Sequence, residues 1–111
     1  MLRVYSVILE VVRGLRPVIG RLERVDPDLA RQLRRAAQSV ALNCAEGSYS
    51  RGRNRAARYH TALGSAREVL AVLEVAEALG YVAEVDGEIA ERLERVIGTL
   101  VKIVRGRSGS G

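Results

Sequence analysis

Residues 26–47 read DPDLARQLRRAAQSVALNCAEG, and this stretch decides the fold. Asp26 carries the short acceptor side chain of an N-cap, and Pro27 lacks a donor where a first helical residue needs none. Asp28 adds negative charge at the positive end of the helix dipole. Leu29, Leu33, Ala36, Ala37, Val40 and Cys44 then recur at three- and four-residue steps, which gathers them on one face. Gly47 stands just past a helix running to about Glu46, at the C′ position that favours glycine.

The same signals recur on either side. Upstream, about Leu2 to Val25, Val4, Ile8, Val11, Val12, Leu15, Ile19 and Leu22 form a second apolar stripe. Pro17 lies inside it and removes a backbone donor, which predicts a kink or a break into two pieces. Downstream, residues 48–54 (SYSRGRN) have loop composition. A third helix follows from about Arg53 to Leu79, with Ala62, Leu63, Ala66, Leu70, Leu73 and Ala76 inward and Gly80 ending it. Asp86 caps a fourth to about Val104, with Ile89, Leu93, Val96, Ile97, Leu100 and Val104 on its stripe. Four amphipathic helices on short connections predict an all-α, antiparallel up-down four-helix bundle over residues 1–105, followed by a flexible Gly/Ser tail over 106–111.

Composition narrows the function by exclusion. A chain of 111 residues has room for one core, and its 48% hydrophobic share is almost entirely Ala, Val, Leu and Ile, with no Phe or Trp. The one cysteine, Cys44, cannot form an internal disulfide, which fits a reducing cytoplasm. The N-terminal segment is broken by Arg3, Glu10, Arg13 and Arg16 and lacks the apolar run of a signal peptide. No segment approaches the roughly 20 apolar residues that span a membrane. His60 is the sole histidine and no Glu stands three residues before it, so the Glu-x-x-His pairs of a di-metal bundle are missing. Cys44 reads as core and His60 as a helix-surface or interface side chain. No catalytic constellation, metal site or cofactor motif emerges, and an enzyme is not expected.

Charge and small residues carry what functional signal there is. The net charge is +5, and Arg31, Arg34, Arg35, Arg51, Arg53, Arg55 and Arg58 fall in one stretch whose only acid is Glu46. Residues 68–94 instead hold eight acids and one arginine. In an antiparallel pair the arginines divide into two groups about 25 Å apart. Three uses fit them: solvated faces with ion pairs between subunits, contacts to RNA or DNA backbone, or contacts to an acidic protein partner. No helix carries base-reading polar side chains, so such binding would be indifferent to sequence. Gly64, costly inside a helix, marks a close approach of two backbones, within the bundle or between subunits. Val69, Val72, Val75 and Leu79 lie partly off the inward line of the third helix, which predicts homo-oligomerisation. Glu46 sits at the negative end of its helix and calls for a compensating partner such as Arg35, Arg51 or the start of the third helix. It reads as an anchor of that corner or as a functional polar group.

The stretches LARQLRRAAQSVALNCAEGSYSRGRN and ALGSAREVLAVLEVAEALGYV, within Leu29 to Val82, resemble the four-helix-bundle family of 23S ribosomal RNA intervening-sequence proteins. The motif residues that match are Gln32, Arg34, Arg35, Asn43, Glu46, Gly47, Gly64, Ser65 and Gly80. The resemblance implies a bundle that assembles into a homo-pentameric, barrel-like ring. The chain is also similar to accessory proteins of diversity-generating retroelements, which bind nucleic acid through basic surfaces and contact a reverse transcriptase. Family members often carry aromatic residues early in helix three, where this sequence has Arg55 and Arg58. Together these readings give a non-enzymatic homo-oligomeric scaffold that binds nucleic acid through its arginines, or an adaptor ring for a protein partner such as a reverse transcriptase.

Overall fold

A computed structural model describes residues 3–109, with side chains to residue 106. Those residues form four helices: α1 (Arg3–Val25), α2 (Pro27–Tyr49), α3 (Gly52–Ala78) and α4 (Gly87–Gly109). Each packs on two others, α1 and α3 both against α2 and α4, in a rod of 45 × 22 × 20 Å. The core is aliphatic apart from Tyr59, with Ile8, Leu15, Leu22, Leu33, Leu93 and Leu100 also among its fully enclosed side chains. The stripes of all four helices supply it, so burial of period-3.6 apolar faces fixes the architecture.

The caps act as their chemistry requires. Asp26 Oδ1 accepts the Leu29 N–H at 3.1 Å, and Asp86 Oδ1 accepts the Glu88 N–H at 2.9 Å. Past α3, Gly80 takes φ +76°, its N–H bonds the Glu77 carbonyl at 3.0 Å, and the Tyr81 N–H bonds the Ala76 carbonyl at 3.0 Å. That pair is a Schellman closure, open to glycine because it lacks a Cβ.

Several boundaries differ from the sequence reading, each for a physical reason. Pro17 does not break α1, which is one helix throughout. Pro17 faces solvent, where water can serve the carbonyl it leaves unbonded, while buried Leu15 and Leu22 hold the chain on either side. Gly47 does not terminate α2, which continues to Tyr49 and leaves Ser50 and Arg51 as the whole connection to α3. α4 runs to Gly109, so the expected tail over 106–111 lies partly in that helix and partly outside the described residues. Gly64 meets no other side chain or backbone: a Cβ built there finds nothing within 4 Å, which removes the reading of tight packing inside the bundle. Close approaches occur instead at Gly47 and at Gly14, whose Cβ would lie 2.9 Å from Ile89 Cγ1.

Candidate nucleic-acid interface

The corner between α2 and α3 is locked by three residues. Gly47 is buried, and a Cβ there would lie 3.0 Å from Cε2 and Cζ of the Tyr59 ring. Tyr59 is wholly buried. The Arg55 guanidinium lies 4.9 Å from the ring centroid, in the range of a cation–π contact, and donates to the Gly47 carbonyl at 3.0 Å. Arg55 thus adds a second donor to a carbonyl in the last turn of α2 that the Ser50 N–H also bonds, at 3.3 Å. It is a structural clamp more than an open phosphate contact. Burial pushes the Tyr59 hydroxyl pKa above its ordinary value, against the opposing pull of Arg55.

A polar seam continues from this corner along the outside of α2 and α3. Arg58 donates to Asn43 Oδ1 at 3.3 Å, and Asn43 donates from Nδ2 to the Ser39 carbonyl at 2.9 Å and to Ser39 Oγ at 3.1 Å. The hydroxyls of Ser39 and Ser65 pair at 2.6 Å across the helix contact. Gln32, Arg35 and Glu68 border a shallow cleft of about 300 Å³ with those serines. The structure therefore brings Gln32, Asn43 and Ser65 onto one seam. Glu46 is exposed and makes no ion pair among the described residues, so its expected compensating partner is not found. Water screens it instead.

The seven candidate arginines separate into engaged and open groups. Arg31 pairs with Asp28 at 3.1 Å and Arg34 with Glu23, within the chain's own acidic end. Arg35, Arg51 and Arg53 are exposed and hold no ion pair among the described residues. Gly52 and Arg53 border one groove with Val104. The end of α4, with exposed Lys102 and Arg105, therefore lies at the same end of the rod as Arg51, Arg53 and Arg58. At the far end Arg21 donates to the Tyr81 carbonyl at 3.1 Å, beside Glu84 and Asp86.

A family model described as 23S rRNA-intervening sequence protein matches residues 6–102. The chain belongs to that family. No curated protein and no solved structure matches it. The match covers all of α2 and α3 and most of α1 and α4, so the locked corner and the polar seam lie inside the family's region.

Other chemistry is sparse in this family member. Among the described residues no group of three His, Cys, Asp or Glu side chains is placed to hold a metal ion, and no helix is long and apolar enough to cross a membrane. Cys44 is buried, and burial raises its thiol pKa above the ordinary value, the reverse of an activated nucleophile. Tyr59 escaped the sequence reading. It sits early in α3, one residue past Arg58, and it extends the inward line of Ala62, Leu63 and Ala66 by one turn. That spacing would have found it. Lys102 and Arg105 carry no such signal in the sequence, because only the pairing of α3 with α4 puts them near Arg53.

Proposed function

We propose that this family member is a non-enzymatic, homo-oligomeric scaffold whose basic end binds the backbone of RNA or DNA without reading sequence. One observation carries the reading: the open cations Arg51 and Arg53 share one end of the rod with Arg58, Lys102 and Arg105, away from the Asp26, Asp28, Glu84 and Asp86 end. An up-down alternation of helices produces that sorting. It is supported by contact pairs that descend one helix as they climb the next: Ser39 with Ser65, Asn43 with Arg58 and Gly47 with Tyr59. Glu10 with Arg92 and Gly14 with Ile89 do the same for α1 and α4. A bend in α1 at Pro17 belongs to the same proposal, since the carbonyl facing the ring must tilt away.

Assembly is supported by α3. Gly64, Ala71 and Ala78 recur every seven residues on its solvent side, with Val75 46% and Leu79 57% exposed among them. A seven-residue recurrence of small side chains suits close contact with another helix. We take the assembly to be the ring of five that the family resemblance implies, in a reducing cytoplasm that leaves Cys44 unpaired. Parallel packing around a ring axis would put every basic end on one face and multiply the charge that meets a polyanion.

Titration of labelled RNA and DNA at low and raised salt tests the reading. Binding should fall linearly on a log–log plot as counterions are released. Light scattering should give about 60 kDa, five times the 12.1 kDa chain. No binding even at low salt, or a monomer mass, would sink the corresponding half. An adaptor role toward a protein partner, such as a reverse transcriptase, draws support from Leu42 and Tyr49. They are 64% and 80% exposed and two turns apart on the outer side of α2. A stoichiometric partner that survives nuclease treatment would favour that role.

A further inference from the structure

The first turns of α3 and the end of α4 enclose an open groove of about 480 Å³. Ala56, Ala57 and Val104 line it with small apolar side chains, and Arg53 and His60 border it. Arg53 and His60 are both exposed and stand seven residues apart on α3. At 1.5 Å per residue their attachment points lie about 10 Å apart along the helix. Both side chains end in planar groups, and guanidinium and imidazole faces are surfaces on which unstacked bases lie. Arg105, next to Val104, adds positive charge at the same end of α4, and Arg51 precedes the first turn of α3.

This combination is chemically selective. A cationic rim alone attracts any polyanion, but an apolar floor between two planar groups gains nothing from phosphate. It gains from a flat heterocycle carried on a phosphate chain. A duplex keeps its base faces stacked inward and offers only backbone and groove edges, so it can engage the rim but not the floor. A single strand offers both. We infer that the α3–α4 groove is a seat for an unstacked base of single-stranded nucleic acid, with Arg53 and His60 stacking on the base and Arg51 and Arg105 facing the neighbouring phosphates. This inference rests on the nucleic-acid reading above and specifies the form of nucleic acid that the basic end takes.

The test is fluorescence anisotropy on the full chain with four labelled probes of equal length: single-stranded RNA, single-stranded DNA, a DNA duplex and an abasic DNA strand. The single strands should bind at least tenfold more tightly than the duplex and the abasic strand. Arg53→Lys keeps the charge and removes the planar fork; His60→Ala removes the ring. His60→Ala should weaken single-strand binding about tenfold, within the range for one stacked base, while leaving duplex and abasic binding unchanged; Arg53→Lys should weaken single-strand binding by more than it weakens duplex or abasic binding. Far-UV circular dichroism and thermal melts confirm that the variants fold. Equal affinity for all four probes would overturn the base seat while leaving backbone binding intact. So would equal loss on every probe in the two variants. Absence of binding to any probe at low salt would overturn the nucleic-acid reading and the base seat with it.

Discussion

The same substitution should have opposite effects at two glycines of this protein. Gly64 lies in the interior of α3 with nothing within 4 Å of an added Cβ. Gly64→Ala therefore removes only the helix penalty of glycine, a gain of about 1 kcal/mol in the monomer. Gly47 lies under the Tyr59 ring, with an added methyl 3.0 Å from Cε2 and Cζ and 3.3 Å from Cδ2. Carbon atoms settle at about 3.5–4.0 Å, so the ring must retreat by roughly half an ångström. It has little room, being fully buried and covered by Arg55. Overpacking of this kind costs about 1–3 kcal/mol, and the propensity gain in a last turn offsets only part of it. Gly47→Ala should lose about 1–2 kcal/mol, leaving the two variants about 2–3 kcal/mol apart. Urea unfolding followed by circular dichroism, at a dilution that gives monomer, reads the difference as shifted midpoints with an unchanged slope. A Gly47→Ala protein as stable as the parent would show that the ring moves freely and that the corner is not locked.

Further outcomes follow from single side chains. The Tyr59 hydroxyl is buried and finds no hydrogen-bond partner among the described residues, so Tyr59→Phe should hold stability constant or raise it by about 1 kcal/mol; a loss of that size in thermal melts would contradict the packing. Ser39→Ala and Ser65→Ala should each lose about 0.5–1.5 kcal/mol, and the double variant less than their sum, because the two hydroxyls bond each other. Strict additivity in that cycle would rule out the pairing. Burial holds the Cys44 thiol and the Tyr59 hydroxyl protonated above their ordinary values of 9.0 and 10.0. The folded chain then keeps protons that the unfolded chain releases, so stability is full below about pH 9 and declines as pH rises further. Urea midpoints at neutral and alkaline pH check the sign, and Cys44→Ala should lessen the decline.

Much of the fold was legible because caps and stripes are local. Asp26, Asp86 and Gly80 act as their positions in the sequence announce. Gly47 misled because a glycine wanted for space looks, in one dimension, like a glycine wanted for a turn; the Tyr59 ring that needs the space is twelve residues away. Of the two outcomes that Pro17 allowed, the break is absent because the effect of a proline depends on whether it faces water or core, and Pro17 faces water. The candidate site was half legible. The arginines from 51 to 58 are adjacent in sequence, but Arg31 and Arg34 are occupied by acids of their own end, and Arg105 reaches the site only through helix pairing.

The most direct test of the account compares two charge-removal variants in the same salt-titrated binding assay. One replaces Arg51, Arg53, Lys102 and Arg105 with glutamine; the other does so for Arg31, Arg34 and Arg35. If the basic end is the interface, the first variant should lose most of its affinity for RNA and DNA alike and show a shallower salt dependence. The second should bind nearly as the parent does. Equal losses in the two, or a larger loss in the second, would contradict the placement of nucleic acid at that end.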